Sequence, residues 1–245
     1  MLALESRTAH VAELAGNPLG VELRLWPSLR ASMVRAGFSY YPYFNAIRGV
    51  RPGCEADLGE ALAWFAEAGL QTGLNVSPFA SDASLLTHLS ERGLRLEHFM
   101  SVLYADPRLL AAEVDSEVIE GASAFLEVWL EGRAESERAF QASVAAAEFA
   151  DWRCYAALID GRPVAMAGLF VNQGAGYMAS AYTSPGFRGR GLQTVLLSRR
   201  IRDAAAAGCD LIVSTATPGS QSQRNIERLG LRTAYTQSNW VTSSP

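Results

Sequence analysis

Between Thr183 and Thr194 the chain reads TSPGFRGRGLQT, two arginines set among glycines with apolar segments on either side. The segment before it, YMASAYT (Tyr177 to Thr183), reads as a strand. The segment after it, Leu192 to Ala207, carries apolar residues at Val195, Leu196, Leu197, Ile201, Ala204 and Ala205, the spacing of a helix. A strand that runs straight into a helix leaves the first N–H groups of the helix unpaired at the positive end of its dipole, and together these make an anion site. Gly189 and Gly191 remove the β-carbons that would hold a phosphate away from those N–H groups, and Arg188 and Arg190 add positive charge. The ligand this chemistry suits is a phosphate or pyrophosphate.

Three arrangements place glycines in this way. A P-loop needs Lys-Ser/Thr after its glycines, and GRGLQT has neither in that order. A dinucleotide-binding turn matches GRGLQT as G-x-G-x-x-T, but the acid that would hold the ribose should end the next strand, whereas Asp210 begins it. Too little chain follows Gly189 for such a domain, so a nicotinamide-nucleotide binder rests on the glycines alone. The third arrangement fits the whole segment: SPGFRGRGLQTVLL resembles the acyl-CoA-binding motif of the GNAT superfamily of N-acyltransferases, Q/R-x-x-G-x-G/A after a strand that often ends in Val-x-Pro. Arg188, Gly191 and Gln193 fall on the first, fourth and sixth positions. Gln193 departs from the pattern, with a side chain that either crowds the pyrophosphate or donates an amide N–H to it.

The resemblance implies acetyl-CoA as co-substrate and no metal. It implies that the strand before the turn and DLIVSTA (Asp210 to Ala216) splay apart, with the pantetheine arm between them pairing with the backbone of Ala181, Tyr182 and Thr183. The pyrophosphate then falls to Arg188, Gly189, Arg190, Gly191, Leu192, Gln193 and Thr194, and polar contacts to the arm to Ser220, Ser222 and Asn225. Helix capping is the local account of Ser220.

The acceptor implied is a primary amine of a small molecule or peptide that attacks the thioester directly. An N–H near Tyr182 would polarise its carbonyl. The tyrosine acid that many such enzymes carry four residues before the last helix's glycine is here Ile226, which leaves Tyr182 and Tyr235 as candidates for the catalytic acid. No carboxylate lies on Tyr177 to Thr183; Glu127 and Glu131 could act through water, although a solvated helix face explains them equally. All three histidines, His10, His88 and His98, are in the first half. Arg199, Arg200 and Arg202 read as a solvated helix face that could also attract the nucleotide's outer phosphate. The missing acid, the missing carboxylate and Gln193 keep open the alternative of a non-catalytic acyl-CoA-binding or scaffold protein.

The elements that must position these residues are legible from the carboxyl end. WRCYAALI (Trp152 to Ile159) and PVAMAGLFV (Pro163 to Val171) read as strands joined by an Asp160-Gly161 turn, and Gly174 and Gly176 mark a second turn. After the helix that Gly208 stops come a strand in Asp210 to Ala216, a helix in Ser220 to Leu229 and a last strand from Leu231, with helices expected at Ser116 to Glu131 and Glu135 to Phe149 and a short strand at Leu110 to Val114. Strand, crossover helix and strand predict a parallel pair.

The first hundred residues repeat this plan. EAGLQTGLNVSPF from Glu67 lies over AAGCDLIVSTATP from Ala206, and ERGLRLEHF from Glu91 over RLGLRTAYT from Arg228. The expected fold is α/β (α+β), two GNAT-like domains of mixed, mostly antiparallel sheet flanked by helices, with a degenerate domain over 1–106 and an acetyl-CoA-binding domain over 107–245. Where the second copy has its glycine-arginine turn, the first has RGVRPGCEADLG (Arg48 to Gly59), whose Glu55 and Asp57 would occupy the positive helix end themselves. The first domain would shape the acceptor cleft or a homodimer surface.

The 245 residues are enough for one large domain or two small ones. A composition 49% hydrophobic and 19% charged is that of a globular chain, and the net charge of −4 argues against nucleic acid as partner. Three widely spaced cysteines, Cys54, Cys154 and Cys209, give neither a disulfide framework nor a zinc pattern, and no apolar run reaches the ~18 residues of a membrane span. A cytoplasmic location without a membrane partner is the expectation.

Overall fold

The computed structural model describes residues 20–34, 45–110, 117–131, 142, 145 and 152–243. They form two compact units, one made of the described residues of Ser101–Ala234 and the other of those of Leu2–Met100 with Tyr235–Pro245. Within these residues no helix is long and apolar enough to cross a membrane.

The unit that carries the glycine-arginine turn is built on a meander. Strands β7 (Arg153–Ile159), β8 (Arg162–Asn172) and β9 (Ala175–Thr183) pair antiparallel in sequence order. Their tight turns are made by Asp160 and Gly161 (φ 52° and 74°) and by Gln173 and Gly174 (φ 48° and 77°), the left-handed pairs that match the twist of a hairpin. Gly176, expected in the second turn, lies inside β9 instead. A β-carbon there would stand 3.3 Å from Ala204, Ile212 and Leu169, so the glycine permits close packing of helix on sheet.

Helix α4 (Leu192–Ala206) crosses from β9 to β10 (Leu211–Ala216), which pairs parallel with β9. Helix α5 (Gln221–Arg228) and β11 (Arg232–Thr242) follow. Residues Leu169, Met178, Leu196, Ile201, Ile212 and Ile226 are among those that fill the core between sheet and helices.

One expected helix is corrected. Val118–Glu120 is a strand, β6, paired antiparallel with β7, and the helix α3 covers only Ala122–Trp129. The Gly121 N–H donates to Cys154 O at 2.8 Å, so this residue closes the β6–β7 ladder just before the helix starts. The helix expected at Glu135 to Phe149 lies outside the described residues except for Ala142 and Ala145, both helical, as does the strand expected at Leu110 to Val114 except for Leu110.

The second unit follows the same order. Strands β1 (Val21–Leu25), β2 (Arg30–Val34) and β3 (Ala46–Arg48) form an antiparallel meander, α1 (Glu55–Glu67) crosses over, and β4 (Gly73–Val76) pairs parallel with β3. Helix α2 (Ala83–Glu91) and strand β5 (Leu94–Ala105) complete the copy. Helix–strand–helix–strand thus recurs as α1–β4–α2–β5 and α4–β10–α5–β11.

Neither terminal strand stays with its own copy throughout. Ser101 to Ala105 of β5 pairs antiparallel with β10, and Ser238 to Val241 of β11 pairs antiparallel with β4. Trp240 accordingly packs in a core with Leu58, Phe65 and Leu74.

Candidate active site

Strands β9 and β10 pair over only four rungs, from Leu211 opposite Ala175 to Ser214 opposite Met178. The Ser214 hydroxyl donates to Met178 O at 3.0 Å at the last rung. Beyond it β9 runs on through Thr183 with no further rung to β10, so backbone groups of its last residues face a gap in place of a neighbour.

A cavity of about 590 Å³ opens at this fork. Ala181, Tyr182 and Thr183 line it from β9, and Gly189, Gly191, Leu192, Gln193 and Thr194 from the turn and the start of α4, with Arg188 at the loop. Ser222 and Asn225 line it from α5. Such a volume suits a small organic ligand. Among the residues expected at the ligand, Arg190, Ser220 and Tyr235 are not among those that line the cavity. Arg190 lies with its guanidinium 5.3 Å from the Phe187 ring, and Ser220 accepts a hydrogen bond from Gln223 N as the cap of α5. Tyr235 belongs to the other unit, its ring edge-on to Phe79 at 5.6 Å, and burial raises its phenol above the usual range.

The start of α4 is open and uncapped. Gly191 is the residue before α4, with φ 78° and no side-chain cap on the helix, and a β-carbon on Gly189 or Gly191 would meet no protein atom within 4 Å. The positive φ requires glycine, and the space over both is open. Arg188 Nε donates to Thr183 O at 3.2 Å, which folds the arginine back along the end of β9 with its guanidinium 6.0 Å from the Tyr182 ring.

The Gln193 side chain is engaged within the protein. Its Nε2 donates to Ser222 Oγ at 2.7 Å and its Oε1 accepts from Asn225 Nδ2 at 2.7 Å. The side chain is spent on a polar bridge between α4 and α5, two helices that line the cavity.

The other unit lacks this arrangement. Glu55 at the start of α1 accepts from Gly53 N at 3.1 Å, and the backbone N–H groups of Glu55 itself and of Gly53 hold its carboxyl below the usual range. Asp57 accepts from Ser28 N at 2.8 Å and from the Ser28 hydroxyl. Glu55 thus sits over the turn before α1, while Asp57 is held by Ser28.

Ile226 is 2% exposed and part of the core. Of the carboxylates on α3 and just beyond, Glu131 accepts a hydrogen bond from the buried Ser184 hydroxyl, directly after the end of β9. The sequence did not single out Met166, Phe187, Leu196, Gln221 or Arg228, which also line the cavity; their apolar or helical spacing made them core or surface residues. Arg199 and Arg200 correct the expectation of a solvated face. Arg199 pairs with Asp203 at 2.8 Å and with Glu120 at 3.6 Å, and Arg200 is 1% exposed.

The site thus combines a parallel pair that forks with an uncapped helix start behind a glycine-arginine turn. Residues 123–231 match the family model of the Acetyltransferase (GNAT) family. The chain is similar in structure to a GCN5-related N-acetyltransferase from Kribbella flavida, at 17% identity and TM-score 0.70 with 100% of this chain and 96% of that one covered. It is also similar to a tandem GNAT protein from the clavulanic acid biosynthesis pathway, at 14% identity and TM-score 0.61 over 99% of this chain and 94% of the other. A GNAT-family putative acetyltransferase from Novosphingobium aromaticivorans aligns with TM-score 0.57 at 18% identity over 90% and 91% of the two chains. No curated protein matches the chain. The fold is GNAT over both units.

Proposed function

We propose that the protein is an acetyl-CoA-dependent N-acetyltransferase that moves the acetyl group to a primary amine of a small molecule or peptide. The observation that carries this reading is the fork of β9 and β10 opening onto the uncapped start of α4, with Arg188 beside it. The pyrophosphate of acetyl-CoA would lie against the N–H groups after Gly191, and the pantetheine arm along Ala181, Tyr182 and Thr183. The first copy, residues 1–106, is then a degenerate GNAT-like domain whose helix start carries Glu55 and Asp57.

The amine nitrogen attacks the thioester carbon directly, the carbonyl oxygen takes the developing charge against an N–H near Tyr182, and the C–S bond breaks to release the CoA thiolate. Holding donor and acceptor together supplies much of the rate. A thiol's pKa near 8.5 makes its thiolate a tolerable leaving group, so Tyr182 acts as a proton donor that speeds departure without being indispensable. The core position of Ile226 supports this assignment, because no tyrosine is available from α5 at that slot.

Release of free CoA thiol in a screen of amine acceptors tests the reading. Turnover is expected with at least one acceptor class, and Tyr182→Phe should lower kcat. Acetyl-CoA binding with no thiol release across the screen would favour a non-catalytic acyl-CoA binder.

Gln193→Ala should strengthen acetyl-CoA binding about three- to tenfold, since a ligand passing between α4 and α5 no longer has to break bonds worth about 1 kcal/mol. Weaker binding would show that the amide contributes a hydrogen bond to the ligand.

A further inference from the structure

Arg200 is the largest fully buried side chain among the described residues, 1% exposed on the face of α4 that meets the sheet. A charged guanidinium in such a place needs partners. The nearby carboxylate of Asp203 does not serve, being held by Arg199 Nε at 2.8 Å and by the Tyr155 hydroxyl at 2.9 Å. Among the described residues Arg200 bonds only to backbone carbonyls: Nε donates to Leu196 O of its own helix at 3.0 Å, and Nη1 to Gly168 O of β8 at 3.3 Å and Ala179 O of β9 at 3.4 Å. Burial pulls its pKa down to about 10.

Those two carbonyls flank an irregularity. Gly168 pairs with Ala179 and Met166 with Tyr182, so Ala167 alone on β8 faces both Ser180 and Ala181 on β9. Ser180 takes up the extra residue with φ 52°, a left-handed conformation unfavourable for a side chain. A bulge interrupts the ladder and leaves carbonyls that a regular sheet would pair. It falls two residues past Met178, where β9 and β10 part, and immediately before Ala181, Tyr182 and Thr183 at the cavity.

We infer that Arg200 is a positioning residue: its guanidinium holds the β9 bulge in place from below and thereby sets the phase and direction of the Ala181–Thr183 backbone that receives the thioester arm. The planar fork of an arginine reaches two strands at once, which a lysine's single ammonium does not. The inference rests on the proposed acetyl-CoA site for its ligand, although not for the bulge itself.

The test compares two ligands on Arg200→Met and Arg200→Lys. Acetyl-CoA uses both the anion end and the strand backbone; 3′,5′-ADP carries the adenosine, the 3′-phosphate and the first 5′-phosphate without the arm, so it does not reach the strand backbone. Arg200→Met is expected to lower acetyl-CoA affinity by at least about tenfold with 3′,5′-ADP affinity unchanged, and Arg200→Lys to lie between it and the wild type. Amide hydrogen exchange should speed up at Ser180 to Thr183 and stay unchanged in β7. Equal loss for both ligands, or unchanged acetyl-CoA affinity, would overturn the proposal. Should Arg200→Met not fold, the Arg200→Lys comparison decides by the same ratio. Wild-type protein that binds no acetyl-CoA would instead refute the proposed function, and the exchange pattern would then judge the bulge alone.

Discussion

Gly191→Glu abolishes acetyl-CoA binding, with an affinity loss of at least about a hundredfold, in a protein that keeps its fold. Two effects combine. Gly191 has φ 78°, where a side chain costs about 1–2 kcal/mol, and a β-carbon there meets no protein atom, so the strain is local. The carboxylate then stands at the start of α4 in the place of the pyrophosphate, and two like charges about 4 Å apart near a protein surface repel by about 4 kcal/mol. Gly53→Glu is the control. It has φ 90° and the same open space but lies in the unit whose helix start already carries Glu55 and Asp57, so it should cost similar stability and leave binding intact. Calorimetric titration of both folded variants checks the pair; near-wild-type affinity in Gly191→Glu would remove the anion site from the start of α4.

The second large effect is on stability. Gly168→Ala should cost about 1–3 kcal/mol and lower the thermal midpoint by about 2–4 °C for each of them. The added β-carbon would sit 2.6 Å from Trp152 Cε3 and 3.0 Å from Cζ3. That ring cannot easily retreat, since it packs against Phe170 at 5.6 Å and Tyr177 at 6.1 Å between centroids. Strand β8 would have to move instead, and with it the Gly168 carbonyl that Arg200 holds. A midpoint unchanged in thermal unfolding would mean the ring has room that the packing does not indicate.

The elements that carry their own punctuation were legible in the sequence. Asp160-Gly161 requires a tight hairpin whatever surrounds it, and Gly208 and Gly230 end helices whose period is clear, so the order from β7 to β11 follows from local chemistry. The repeat was also legible, because a crossover helix, a glycine stop and a buried strand recur in both halves.

What the sequence did not disclose is non-local. Val118-Ile119-Glu120 is too short to show a period, and only its pairing with β7 makes it a strand. The exchange of strand ends between β5 and β11 leaves no local mark at all. Arg199, Arg200 and Arg202 are alike as letters on one helix, yet one pairs with carboxylates, one is buried against a bulge and one is half exposed. The bulge decides this, and the bulge lies on another strand. Gln193 was recognisable as a departure from a pattern, whereas the partners that occupy it, Ser222 and Asn225, became evident only when α5 was placed beside α4.

In the proposed function, the fork between β9 and β10 and the start of α4 form one site for acetyl-CoA. Calorimetric titration of the full chain with acetyl-CoA, with NADH as the control ligand, tests it most directly. Binding of acetyl-CoA at about micromolar strength with none for NADH is the predicted result. No binding of acetyl-CoA by the folded protein, or equal binding of NADH, would contradict it.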